Sequence, residues 1–245
     1  MIRAALLGAA LLLAAAADHR SGYDDATPAV QAMQDDDTAN PAMLWVQQGA
    51  ALWDQPAGSA GKACAACHGA PAAMQGVAAR YPRFETRPIS LAQQVNLCRT
   101  ERQRAPALRP DSDELLALTA LVGLQSRGLP VSIDAGGDGQ AALEQGRALF
   151  NQRMGQLNLS CAQCHDTLAG QRLGGSRIPQ AHPNAYPLYR LEWQGMGSLY
   201  RRLRNCMTGV RAEPFAADSP ELAALEFYLG WRSNGLRVET PGVRP

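Results

Sequence analysis

The chain has 245 residues, 46% of them hydrophobic and 18% charged, and a formal net charge of +1. That length leaves room for two small domains, each with a core of its own. The near-zero balance gives no electrostatic case for a nucleic-acid partner. It conceals an asymmetry: residues 18–40 carry six acids against Arg20 alone, so the chain from residue 41 onward is net basic and favours anions in its clefts. Lys62 is the only lysine, so the basic character is almost entirely arginine.

In chain order, residues 1–17 read as a secretory leader. Arg3 supplies the charged start, Ala4 to Leu13 the short apolar stretch, and Ala15-Ala16-Ala17 a small-residue cleavage site. The apolar stretch is too short for a comfortable membrane span, and no later segment is apolar enough, so no membrane span is expected in the mature chain. Export implies a compartment where cysteines can be oxidised or linked to haem. Residues 18–41 are polar and acidic, an arm expected either to wrap the body or to fray.

The rest of the chain repeats itself. Cys64-Ala65-Ala66-Cys67-His68 returns as Cys161-Ala162-Gln163-Cys164-His165, and Gly49, Leu52 and Trp53 before the first copy match Gly146, Leu149 and Phe150 before the second. Tyr81-Pro82 echoes Tyr186-Pro187, and one further cysteine follows in each half, Cys98 and Cys206. A helix then closes each half. In the first, Ser112 caps, Asp113 and Glu114 occupy the first turn, and Gly128 stops it; in the second, Ser219 caps, Pro220 takes the first helical position, and Gly235 stops it. Their leucines read as core. The pattern predicts an all-α fold of two tandem cytochrome c-like domains related by duplication, residues 42–130 and 140–245. They are joined by a linker, 131–139, in which Gly136, Gly137 and Gly139 oppose regular structure.

Cys-x-x-Cys-His is the attachment sequence of c-type haem: two thiols bond to the haem edge and the adjacent histidine meets the iron. Two copies predict two covalently bound haem c groups, on Cys64 and Cys67 and on Cys161 and Cys164, with His68 and His165 as iron ligands. A thioredoxin-like pair lacks its strand–helix setting, a four-cysteine zinc site ignores the histidines, and disulfides remain open in an exported chain. For the opposite face of each iron the residues offer His182, Met74, Met154, Met196, Met207, Cys98 and Cys206. The symmetric placement of the last two favours thiolate ligation, against a Cys98–Cys206 disulfide or two buried thiols. Three arginines, Arg201, Arg202 and Arg204, lie just before Cys206, and Arg211 follows it. On a helix, Arg202 and Cys206 share a face, and guanidinium groups stabilise thiolates and bind oxyanions. A solvated basic face and partners for haem propionates are the blander uses of these arginines. Cys98 has its arginines only after it, so one catalytic half is expected.

The runs Ile178-Pro179, Tyr186 to Leu199, Arg201 to Met207 and Val210 to Pro214 resemble the SoxA subunit of the SoxAX cytochrome, with the likeness extending from about residue 42 to 236. That resemblance implies the thiosulfate-oxidising Sox system of the bacterial periplasm and an L-cysteine S-thiosulfotransferase activity, in which thiosulfate is joined oxidatively to a cysteine of a SoxYZ-like carrier protein. It implies a heterodimer with a small monohaem cytochrome, SoxX. By position, Cys206 matches the active-site cysteine, which family members can hold as a persulfide on the second haem iron, Arg202 the arginine at the substrate site, and Cys98 the ligand of the first haem. Some members lack that first haem, but this sequence keeps its whole motif. The rival readings are a periplasmic dihaem thiosulfate dehydrogenase, which releases tetrathionate, and a plain electron-transfer cytochrome.

Overall fold

The computed structural model describes residues 19–245; the expected leader lies outside the described residues. The helices are α1 (Pro28–Asp35), α2 (Met43–Asp54), α3 (Ala65–His68), α4 (Leu91–Cys98), α5 (Asp113–Leu124), α6 (Gly139–Asn151), α7 (Leu199–Gly209) and α8 (Pro220–Arg232). Between them run short strands, β1 (Arg83–Phe84), β2 (Pro88–Ile89), β3 (Arg172–Leu173), β4 (Ser176–Arg177), β5 (Leu188–Arg190), β6 (Gly195–Gly197) and β7 (Gly242–Arg244).

Serine caps start the two closing helices where the sequence places them. Ser112 accepts the Leu115 amide at the head of α5, and Ser219 accepts that of Leu222 at the head of α8. Gly128 and Gly235, at φ 83° and 89°, turn the chain after them in a conformation that side-chain-bearing residues rarely adopt. Both helices are buried nearly all round rather than on one stripe, because each is covered by the other half as well as its own, α5 by Thr240 at Gly123 and α8 by Pro82 at Gly230.

Each closing helix crosses the helix that precedes its Cys-x-x-Cys-His motif. Gly49 of α2 lies on the Ala117 carbonyl of α5, and Gly146 of α6 on the Ala224 carbonyl of α8. The duplication extends to detail: the bridges Ala57–Lys62 and Met154–Leu159 are equivalent, and Tyr81-Pro82 and Tyr186-Pro187 are both cis. Two cores result. Val46, Trp53, Leu116, Leu118 and Leu121 fill the first half, and Leu143, Phe150, Leu225, Phe227 and Leu229 the second. The architecture is therefore two tandem helical units, as expected, with three minor sheets added.

The linker differs in part from expectation. Residues 131–138 form no helix or strand, yet Val131, Ile133 and Ala135 are buried in the second core. Gly139 belongs to α6, where its bare Cα lets the Phe84 ring pack close.

The acidic arm wraps. Thr27 caps α1, and Asn40 donates to the Gln34 and Pro241 carbonyls while accepting the Ala42 amide. The C-terminal tail completes a three-stranded sheet in the order β6-β5-β7, with β7 parallel to β5. The Val243 amide donates to Gln34 of the arm, so the described beginning of the chain and its end meet beside the second half.

Candidate functional site

Helix α7 sets the second site. Ser198 caps it by accepting the Arg201 amide at 3.1 Å, and the Ser198 amide itself donates to Asp111 of the first half at 3.0 Å. The helical spacing puts Arg202 and Cys206 on one face, and both line a single cleft together with His165. Among the described residues no methionine lines this cleft. Met196 and Met207 are buried, Met196 in the first core, and Met154 forms a β-bridge with Leu159. His182 reaches the cleft wall but is pinned by the arm. Its Nδ1–H donates to the Arg20 carbonyl at 2.7 Å, its ring meets His19 edge-on, and burial pushes its pKa down to about 4.

His165 donates its Nδ1–H to the Pro179 carbonyl at 2.7 Å, which fixes the ring and leaves Nε2 for a metal. Burial holds His165 below the usual histidine range, in the neutral form that ligates. Burial also pushes the Cys161 thiol up to about 11, with the charge of Cys206 adding to the effect, so the two cysteines lie within electrostatic reach of each other.

The first half places Cys98 near its own motif, among different neighbours. Cys64 is raised by burial, eased by Arg99, and raised again by Cys98. Cys98 ends α4, which opens on a reciprocal capping box between Ser90 and Gln93. Its sulfur accepts from the Gln94 amide at 3.5 Å, where Cys206 has Arg202 one turn away. The Trp53 indole donates to the Gly69 carbonyl at 2.8 Å and packs 5.7 Å from the His68 ring. Arg99 Nε is buried without a hydrogen-bond partner.

Cys98 and Cys206 thus each sit with the motif of their own half, and the disulfide the sequence left open does not form. In the second half His165 and Cys206 line one cleft, and in each half the further cysteine lies within electrostatic reach of the first cysteine of the motif. With His165 oriented through its second nitrogen and an orphan guanidinium N–H at the first site to meet a carboxylate, these residues fit haem.

Sequence reasoning missed the other arginines of the cleft. Arg177, Arg190 and Arg244 line it with Arg202. Arg190 and Arg202 both approach Glu192 Oε1, at 2.9 and 3.7 Å. Arg201 and Arg204 turn away, over Trp193 at 4.3 Å and Tyr200 at 5.4 Å. Arg190 lies 16 residues before Cys206 on a strand, where no helical spacing links the two.

Two crossed-helix halves, each with a Cys-x-x-Cys-His turn and a third cysteine brought to it, define a dihaem c-type cytochrome. The chain belongs to the SoxA/TsdA cytochrome c domain family, whose model matches residues 48–131 and 145–238. It is 40% identical over 92% of its length to the L-cysteine S-thiosulfotransferase subunit SoxA of Rhodovulum sulfidophilum, covering 80% of that protein. It is 42% identical over 85% of its length to the protein of the same name from Pseudaminobacter salicylatoxidans, covering 75% of it. It superposes on a chain of the crystal structure of SoxXA from P. pantotrophus with a TM-score of 0.89 at 35% identity, covering 92% of this chain and 86% of that one. No helix among the described residues is long and apolar enough to cross a membrane.

Proposed function

We propose that this chain is the cytochrome subunit that oxidatively joins thiosulfate to a cysteine of a SoxYZ-like sulfur-carrier protein, with Cys206 as the reacting sulfur. The observation that carries the reading is the shared cleft of His165, Cys206 and Arg202. The domain division, residues 42–130 and 140–245, and the site assignments belong to the same proposal. Cys64 and Cys67, with His68 and Cys98, would hold the first haem. Cys161 and Cys164, with His165 and Cys206, would hold the second. When bound, haem supplies one-electron redox capacity beside Cys206.

The residues of the chain do the rest. Arg202 draws in the thiosulfate dianion and holds its oxygens by charge-assisted hydrogen bonds. The outer sulfur of thiosulfate bonds to the Cys206 sulfur, with loss of two electrons and of the thiol proton. The carrier cysteine thiolate then attacks that outer sulfur and leaves with the thiosulfate group, returning Cys206 as thiolate by exchange chemistry like that of disulfides. A SoxX-like small monohaem cytochrome, as heterodimer partner, accepts electrons. The expected location is the periplasm, in keeping with the exported leader and the haem-attachment motifs.

The test measures the mass of the carrier cysteine after exposure to thiosulfate with the heterodimer. Cys206→Ala abolishes the adduct. Cys98→Ser alters the first haem's absorption and keeps much of the activity. A Cys206→Ala protein that still modifies the carrier, or a wild-type protein that forms free tetrathionate and leaves the carrier unmodified, overturns the reading.

A further inference from the structure

Beside Cys206 stand two groups that the reaction above does not use, the cleft residue Arg190 and its ion-pair partner Glu192, next to Arg202. Arg190 at the end of β5 is 11% exposed in its side chain and Arg202 32%, and both point to the same Glu192 oxygen. Glu192 stands in the turn between β5 and β6, with 48% of its side chain in water. We propose that Arg190 and Arg202 form a two-guanidinium cradle for the sulfonate end of thiosulfate, closed in the resting protein by Glu192, which the incoming dianion displaces. The proposal rests on the thiosulfate reading of the cleft.

Three observations support it. Arg190 Nε is buried, and the carboxylate oxygen beside it, Glu192 Oε1 at 2.9 Å, belongs to a side chain half in water. A buried guanidinium donor needs an acceptor, and a tetrahedral oxyanion has oxygens to supply one in place of Glu192. The charges are also unbalanced. Two guanidiniums share one carboxylate, and Arg190 is held below the usual arginine range first by burial and then by the like charge of Arg202. A dianion matches two guanidiniums where one carboxylate does not. Finally, Glu192 is the member that can leave. A carboxylate half in water holds its ion pairs only weakly, whereas Arg190 is braced over the Trp193 ring at 5.2 Å. Because Arg202 shares a helix face with Cys206, an anion held by this pair presents its outer sulfur toward the reacting thiol.

The experiment uses the heterodimer with both haems and inorganic sulfate as an unreactive probe, titrated by calorimetry. Removing the competing charge in Glu192→Gln should tighten sulfate binding about three- to tenfold, and Arg190→Ala should weaken it about tenfold or more. Arg190→Lys should fall between, since charge survives and the planar fork does not. The KM for thiosulfate should move in the same directions with kcat little changed. Glu192→Gln binding sulfate no more tightly than wild type overturns the proposal; that exposed side chain can be changed without threatening the fold. Arg190→Ala with wild-type sulfate affinity but a shifted haem absorption or midpoint potential also overturns it, and assigns Arg190 to a haem carboxylate. Cys206→Ala separates the two ideas. If that variant still conjugates thiosulfate, the function reading fails, while the sulfate affinities continue to judge the cradle.

Discussion

Gly146 of α6 lies so close to Ala224 of α8 that a Cβ added to the glycine would stand 2.1 Å from the alanine carbonyl oxygen. Gly49 stands in the same relation to Ala117, where the distance would be 2.3 Å. Both crossings bring helix backbones together at a position without a side chain, and each joins the helix before a Cys-x-x-Cys-His turn to the helix that closes its half.

Gly49→Ala and Gly146→Ala should therefore each destabilise the protein by about 1–3 kcal/mol or more, because the contact is with backbone and cannot move aside. Gly175→Ala, where nothing lies within 4 Å, should change stability by less than about 0.5 kcal/mol. Thermal unfolding of the three variants, with haem absorption as a check on loading, makes the comparison. Equal effects at all three positions would deny the crossings their structural weight.

The duplication, the two capped closing helices and the shared face of Arg202 and Cys206 are legible in the sequence because local spacing and capping carry them. What was not legible is non-local. The pairing of Leu188 with Gly242, Arg190's arrival beside Arg202, and the seating of the arm against the tail join residues whose separation in the chain carries no period. Composition could say that residues 18–41 would wrap or fray, but not which. Asn40 decides it, being 3% exposed and hydrogen-bonded on both sides.

That difference in burial ranks the arm's contacts. Asn40→Ala leaves the Ala42 amide and the Gln34 and Pro241 carbonyls without this partner, and should cost about 1–3 kcal/mol. Arg127→Ala removes a bidentate pair with Asp37 that lies largely in solvent, and should cost under about 1 kcal/mol. The hydrogen bond from Arg127 holds the Asp37 carboxyl below its ordinary range. The small contribution of this pair is thus present at neutral pH and fades as pH falls through the folded pKa. Chemical denaturation at neutral and acid pH reads both terms. An Arg127→Ala loss as large as that of Asn40→Ala would reverse the ranking.

Glu226 of α8 faces the pocket where the two halves meet, lined also by Asp111, Tyr200, Ser90, Gln93, Asn96, Thr119 and Ser198. Burial, with Asp111 adding its charge, pushes the Glu226 pKa up to about 7. The folded pKa exceeds the unfolded one, so the folded protein binds the extra proton and loses stability as pH rises from the ordinary glutamate range toward 7 and above. Glu226→Gln should remove that loss, stabilising the protein by about 1–3 kcal/mol at pH 8 and by little at pH 4. A stability difference between the two proteins that does not change with pH would show that Glu226 is not the titrating group.

The arginines before Cys206 should separate by what each side chain touches. Arg202 lines the cleft with Cys206, so under the proposed function Arg202→Ala should remove charge-assisted hydrogen bonds worth roughly 1.5–3 kcal/mol each to the bound anion. Its kcat/KM for thiosulfate should fall about ten- to a hundredfold or more. Arg202→Lys should recover part of this, because the ammonium keeps the charge and loses the two-pronged grip. Arg201 and Arg204 spend their guanidiniums on Trp193 and Tyr200 and do not line the cleft, so their alanine variants should lose only the weak contribution of charge at a distance. Raising the ionic strength sharpens the contrast: it should shrink the Arg201 and Arg204 effects and leave most of the Arg202 effect, since direct contacts in a part-buried cleft are screened least. Steady-state kinetics of the four variants at two salt concentrations, with haem spectra confirming the fold, decide the matter. Equal small losses that vanish together in salt would mean that a diffuse basic surface steers the anion and that Arg202 has no place of its own in holding it.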